Sequence, residues 1–293
     1  MLTSKSRGGN KLKQNGSGTL YICPTPIGNM KDISCRVIDC LKYVDLIACE
    51  DTRNAKKLLN RLEIKKPLIS YYKFNQEEKG KEIIDRLETG DNISLISDAG
   101  TPGISDPGSY LVKAAVEKGI KVISLPGPSA AITALCASGF SADKFFFMGF
   151  LPRKGTERKK AIIDIISSSC PVIFYESPNR TIKTLQEIAP KVLNRKIVVA
   201  REISKVYEEY IRGTGLDILE KLDQDKMRGE ITIVIEGKED GETIDEETMT
   251  DEEIGEELKK LLEQGFTKKD AVKSLAEVTG VPKNKIYNIA LKM

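Results

Sequence analysis

A chain of 293 residues with 46 lysines and arginines, 43 aspartates and glutamates and a formal charge of +3 has the mixed composition of a soluble protein of about two domains. It contains no histidine, which excludes Ser-His-Asp triads, Cys-His dyads, HExxH zinc sites and histidine proton shuttles. Six cysteines (Cys23, Cys35, Cys40, Cys49, Cys136 and Cys170) form no CxxC pair and no apolar run reaches membrane length, so a zinc framework and a membrane span are set aside in favour of reduced thiols in a cytoplasmic protein.

In chain order, residues 1–18 carry four basic and no acidic residues and lack the apolar core of a secretory signal, and are expected to be a disordered basic tail. Short apolar runs at 19–23, 44–49, 93–96 and 121–125 predict buried strands. Amphipathic stretches near 33–41, 52–62, 76–88, 108–118 and 128–138 predict helices between them. This alternation predicts a mainly parallel sheet covered on both faces, an N-terminal α/β domain spanning 19–142.

A second α/β domain is expected over 143–237. Its strands are predicted at 144–150, 171–176, 195–203, 205–213 and 229–237, with helices at 156–168, 179–190 and 215–223. Five strands with so few helices predict a mixed sheet. Residues 238–257 hold eleven acids and one lysine, and the stretch 238–250 is read as a solvated acidic linker. Beyond it, apolar residues at Ile254, Leu258, Leu261 and Leu262 predict a helix, with Gly265 as its C-cap. Helices starting near Thr267 and Pro282 complete a helix-turn-helix-like unit over 251–293.

The glycine loops exclude the usual phosphate sites, because there is no GxxxxGK[ST] and no GxGxxG after a strand. Instead CPTPIGN (23–29), SDAGTPGISDPG (97–108) and PGPSAA (126–131) each follow a predicted strand. Open α/β sheets bind ligands at that carboxyl edge. Proline fixes the path of such loops, glycine allows close approach, and Asp98 or Asp106 attracts positive charge. A cationic, amino-acid-bearing, adenine-containing ligand such as S-adenosylmethionine suits these features, although they do not single it out.

Six ordered stretches, LYICPTPIGNMKDIS, ACEDTRNAKKLL, SDAGTPGISDPG, LPGPSAAITAL, FYESPNR and AREISK, resemble the ribosomal RNA small subunit methyltransferase I family of the tetrapyrrole-methylase fold. The resemblance runs from residue 19 to the end. It implies a two-domain class III α/β methyltransferase, usually a homodimer, with S-adenosylmethionine held between the domains. It further implies transfer to the ribose 2′-hydroxyl of a cytidine in the decoding region of 16S rRNA, as free RNA or within the small ribosomal subunit, with no need of a metal. One departure is Asn179, in SPNR, where the family usually has histidine. The alternatives are a methylase of a small tetrapyrrole or corrinoid precursor, and a non-enzymatic nucleic-acid binder.

The resemblance implies donor contacts at Pro24 and Pro26, at Gly100, Pro102, Gly103 and Ile104, and at Ser129 and Ala130, with Glu176 and Ala200 on the adenine side. Asp98 is retained as a donor-side anchor. For catalysis, a carboxylate base is sought in Glu50, Asp51 or Glu202, and Arg201 or Lys205 is a candidate to stabilise developing alkoxide. Asp51 or Thr52 equally suits a helix cap. Arg53 and the basic run RKGTERKK, with Arg153, Lys154, Arg158, Lys159 and Lys160, are the expected contacts to RNA phosphate, and Phe145, Phe146 and Phe147 are expected in the core.

Overall fold

The computed structural model describes residues 16–223, 227–239, 251–263, 266–279 and 281–292. The expected tail at 1–15 and most of the acidic linker, 240–250, lie outside the described residues, as does Gly265. Gly18, the last residue assigned to the tail, is buried and donates its N–H to the Leu87 carbonyl at 2.7 Å.

The chain divides into two compact units at Ser129/Ala130. In the first, β1 (Thr19–Ile22), β2 (Leu46–Cys49), β3 (Leu68–Ser70), β4 (Ile93–Ile96) and β5 (Lys121–Ser124) form a sheet in the order β3-β2-β4-β1-β5. Every pairing is parallel. The intervening helices are α1 (Cys35–Tyr43), α2 (Thr52–Arg61), α3 (Gln76–Glu88) and α4 (Ser109–Glu117).

Alternation along the strands decides which helix covers which face. Leu20, Ile22, Leu46, Ala48, Ile93 and Leu95 join Ile83, Leu87, Leu111 and Ala115 of α3 and α4. Cys23, Ile47, Cys49 and Ile96 join Val37, Leu41, Ala55 and Leu59 of α1 and α2. Both faces are therefore dry, and the strands read as continuous apolar runs.

The second unit holds α5 (Ala130–Ser138), β6 (Phe146–Phe150), α6 (Thr156–Ser167), β7 (Val172–Glu176), α7 (Pro178–Ile188), β8 (Lys196–Arg201), β9 (Glu209–Thr214), the single turn α8 (Ile218–Lys221) and β10 (Ile231–Ile235). Its sheet order is β6-β7-β10-β8-β9. Only β6–β7 is parallel, so the sheet is mixed, as predicted. One face packs on α6 and α7 through Val172, Phe174, Ile197, Val199, Ile231 and Ile233. Helix α5 packs against β7 and β10 and so falls in this unit, although it follows β5 in the chain.

Helices α9 (Asp251–Glu263), α10 (Lys268–Thr279) and α11 (Lys283–Lys292) follow. They enclose their own core of Ile254, Leu258, Ala271, Leu275, Ile286 and Ala290, and α10 packs on α6. Two expectations change here. Phe145 and Phe146 are 41% and 44% exposed rather than core, because they stand at the start of β6, an edge strand of its sheet. Strand β3 is an addition to the predicted strands. No helix among the described residues is long and apolar enough to cross a membrane.

Candidate active site

Parallel strands end on the same edge, and the order β2-β4-β1-β5 sets four strand-end loops side by side. The loops after β1 and β4 are pinned by a reciprocal backbone pair. Thr25 N–H donates to the Gly100 carbonyl at 2.8 Å, and Gly100 N–H donates to the Thr25 carbonyl at 3.0 Å. The buried Thr25 hydroxyl adds a bond to the Ser97 carbonyl at 3.1 Å. The loop after β5 joins them where the Thr101 hydroxyl donates to the Pro128 carbonyl at 3.0 Å. Gly127 is required at this junction, since a Cβ there would lie 2.5 Å from the Pro24 Cβ.

Of the expected donor contacts, Pro24, Pro26, Gly100, Pro102, Gly103 and Ile104 thus share one edge of one unit. Pro24, Gly100 and Pro102 are buried supports, while Gly103 and Ile104 are exposed. Ser129 ends the first unit and Ala130 opens α5 of the second.

Carboxylates crowd the same edge. Asp98 receives the Asp51 N–H at 3.3 Å and the Asn54 side-chain amide at 2.8 Å. Burial pushes the Glu50 carboxyl above its ordinary range, helped by the charges of Asp106, Asp98 and Asp51. Burial also raises Asp106, to about 6, with Asp98 adding to the rise and the Ser97 hydroxyl opposing it. Asp51 behaves oppositely. It caps α2 by accepting the Arg53 N–H at 2.8 Å and also accepts from the Arg53 guanidinium, which holds it down at about 2. Asp51 is therefore a cap and a poor base, whereas Glu50 and Asp106 are the carboxylates of this edge whose proton affinity the surroundings raise. Among the described residues, no group of three or more acidic or cysteine side chains is arranged to hold a metal ion.

In the second unit, Arg201 is tied to Glu209 at 2.8 Å. Glu202 sits at φ 51° in the β8–β9 turn, held by Lys205 Nζ at 2.7 Å and the Glu230 N–H at 3.0 Å. Burial alone would raise its carboxyl, but Lys205 and that N–H hold it below the ordinary range. Lys205 is itself shared between Glu202 and Glu230.

Three assignments are corrected by their surroundings. Glu176 is 2% exposed, with one oxygen taking the Ser177 N–H at 2.8 Å and the other the Thr184 hydroxyl at 2.8 Å and Arg180 at 3.2 Å. Ala200, next to the end of β8, is fully buried, paired with Thr232 on one side and Tyr210 on the other. Both are interior residues rather than open ligand contacts. Arg158 is 9% exposed and spends its guanidinium on Glu187 at 2.9 Å, the Pro152 carbonyl at 3.0 Å and Thr184 at 3.0 Å, so it fastens α6 to α7 instead of reaching RNA. Arg53, Arg153, Lys154 and Lys160 are exposed, as is Asn179, and Lys159 is half-buried and pairs with Glu257 at 3.5 Å.

Residues 19–219 match the family model of tetrapyrrole (corrin/porphyrin) methylases. The chain is 45% identical over 273 residues to ribosomal RNA small subunit methyltransferase I of Bacillus subtilis (strain 168), covering 92% of this chain and 93% of that protein. The chain belongs to the ribosomal RNA small subunit methyltransferase I family. The fold relation reaches further. A diphthine synthase crystal structure matches with a TM-score of 0.57 at 16% identity, over 75% of this chain and 90% of that one. A uroporphyrin-III C-methyltransferase from Thermus thermophilus, solved with S-adenosyl homocysteine, matches with a TM-score of 0.53 at 14% identity, over 75% and 97%.

Two members of the edge need the fold to be placed: Asn54, which the sequence does not single out, and Asp106, which the sequence offers only as an alternative to Asp98 for attracting positive charge. Asn54 lies one turn into α2 and is joined to Asp98 across 44 residues of chain. Asp106 is legible in sequence only as a charge, and its partial burial beside Glu50 and Asp98 places it in the cluster. The signal that could have found both is the adjacency of β2 and β4, which sequence spacing does not state.

Proposed function

We propose that this chain is an S-adenosylmethionine-dependent methyltransferase acting on small-subunit ribosomal RNA, at the ribose 2′-hydroxyl of a cytidine in the decoding region. The observation that carries the reading is the near full-length relation to ribosomal RNA small subunit methyltransferase I proteins. The loop edge supports the donor. Exposed Gly103 and Ile104 stand beside supports locked by the Thr25–Gly100 pair. The carboxylates of Glu50, Asp98 and Asp106 gather there, while the neighbouring cation, Arg53, is spent on Asp51. That chemistry fits a ligand bearing an ammonium and a sulfonium.

When bound, S-adenosylmethionine supplies an electrophilic methyl group. The residues of the edge supply position and charge. Gly103, Ile104 and Ser129 line the donor, and Pro24, Pro26, Gly100 and Pro102 keep those loops rigid. Asp98, fixed by Asn54 and the Asp51 N–H, attracts the donor's positive charge. Orientation of reactants is worth roughly 7–11 kcal/mol of a barrier, and a base adds about 10²–10⁴-fold. Glu50 takes the base's role, because it is partly desolvated and is not consumed by a cation as Asp51 and Glu202 are. Arg201, held by Glu209, and Lys205, shared between two glutamates, are weaker candidates for stabilising alkoxide.

Arg153, Lys154 and Lys160, the exposed cations of the basic run, contact RNA phosphate, with Arg53 exposed beside its Asp51 partner, and the protein acts as a homodimer in the cytoplasm. Donor binding to the purified chain, followed by methyl incorporation into small-subunit RNA and into a tetrapyrrole precursor, tests the reading. Incorporation into the precursor alone would overturn it.

A further inference from the structure

The mouth of α6 and the outer face of α7 enclose a groove of about 400 Å³ in the second unit. It is far larger than one ion requires, since a water molecule occupies about 30 Å³ of liquid. Six cations line it: Arg153, Lys154, Arg158, Lys159, Arg180 and Lys183. Glu187 is the one acid among its lining residues.

The cations divide into two groups. Arg158 is bound to Glu187 and Thr184, Arg180 to Glu176 at 3.2 Å, and Lys159 to Glu257 of the C-terminal helices at 3.5 Å. These three build the wall. Arg153, Lys154 and Lys183 are exposed and have no ion-pair partner among the described residues. Three unpaired like charges around one concavity raise the local positive potential and favour an anion. The N-terminus of α6, capped by Gly155 without a side-chain bond, opens on the same groove and adds to that potential.

We propose that this groove is a phosphodiester subsite for the RNA substrate, with Arg153 and Lys154 before α6 and Lys183 on α7 as its working charges. The proposal rests on the rRNA reading above and extends it to α7, which the basic run in the sequence did not include. The groove has long, exposed cationic side chains and no glycine-rich nest of backbone donors. It therefore offers charge rather than a fitted cradle, which suits a strand backbone better than a small phosphorylated metabolite.

The test compares wild type, the triple variant Arg153→Ala/Lys154→Ala/Lys183→Ala and the charge-keeping Arg153→Lys/Lys154→Arg/Lys183→Arg in the full chain. Affinity for small-subunit RNA is measured against salt, alongside S-adenosylmethionine affinity and titration with inorganic phosphate. The alanine variant is expected to bind RNA at least about tenfold more weakly, with a log–log salt slope reduced by about 2–3. The charge-keeping variant should retain both, and donor affinity should be equal in all three. Unchanged RNA affinity and slope in the alanine variant overturn the proposal. So does saturation by inorganic phosphate with no effect on RNA, which would make the groove a small-anion site. Wild-type protein that transfers no methyl group to small-subunit RNA overturns the substrate reading itself, a result visible without any variant.

Discussion

Replacing Asp106 by asparagine perturbs the electrostatics of the sheet edge with little change of shape. Burial and Asp98 raise the Asp106 carboxyl from 3.8 to about 6. The folded protein thus holds this proton more tightly than the unfolded chain. Wild-type stability is fullest below about pH 4 and falls as pH rises through about 6. A rise of that size corresponds to about 3 kcal/mol. Asp106 is partly exposed, and solvent screening brings the expected effect to about 1–2 kcal/mol. An asparagine side chain cannot ionise, yet it keeps an oxygen for the Ser97 hydroxyl. Asp106→Asn should therefore be about 1–2 kcal/mol more stable than wild type at pH 8 and indistinguishable at pH 4. Thermal unfolding without ligand at the two pH values measures this, with an expected rise at pH 8 of roughly 2–8 °C. A difference that does not change with pH, or a variant less stable at pH 8, would refute the assignment of strain to this carboxylate. If the cluster holds a cationic donor, the same variant should also bind S-adenosylmethionine about tenfold more weakly at pH 8, an effect of about 1.4 kcal/mol.

Glu50→Gln should lower turnover at saturating donor by about 10²-fold or more; lost donor affinity with unchanged turnover would make Glu50 an anchor instead of a base. Arg158→Ala removes one partner of a nearly buried pair and should destabilise the second unit by about 3 kcal/mol while RNA affinity per folded molecule is retained, as denaturant titration and binding to the refolded fraction would show. Deleting residues 251–293 should weaken RNA binding and leave donor binding intact, because α9–α11 have a core of their own and touch the rest of the second unit chiefly at α6. Equal RNA affinity after the deletion would remove the helical unit from the substrate interface.

Much of the fold is legible in the sequence because both faces of the first sheet are covered, so its longer strands show as apolar runs, and β1, β4 and β5 end in proline- or glycine-containing turns. Strand β3 is the exception in that sheet: Leu68–Ser70 is three residues long, with no room for a periodicity to show. The three donor loops are legible as strand-end turns. Their convergence needs the order β4-β1-β5, which chain order does not state.

Side-chain fates are harder to read. The five cations of RKGTERKK look alike in sequence, yet α6 turns Arg158 inward to Thr184 and Glu187 while Arg153 and Lys154 remain outside. Position near a strand's end likewise says nothing of depth for Glu176 and Ala200. In CEDTR the two acids part company because Asp51 is at the N-cap and Glu50 is one residue earlier, facing other carboxylates.

The central claim is methyl transfer to one ribose. Small ribosomal subunits lacking the modification, incubated with the purified chain and S-adenosylmethionine labelled in the methyl group, should gain about one label per subunit. Nuclease digestion and mass spectrometry should place it on the 2′-oxygen of a single decoding-region cytidine. Label on a base, label on a tetrapyrrole precursor but not on RNA, or no label despite bound donor would contradict the account.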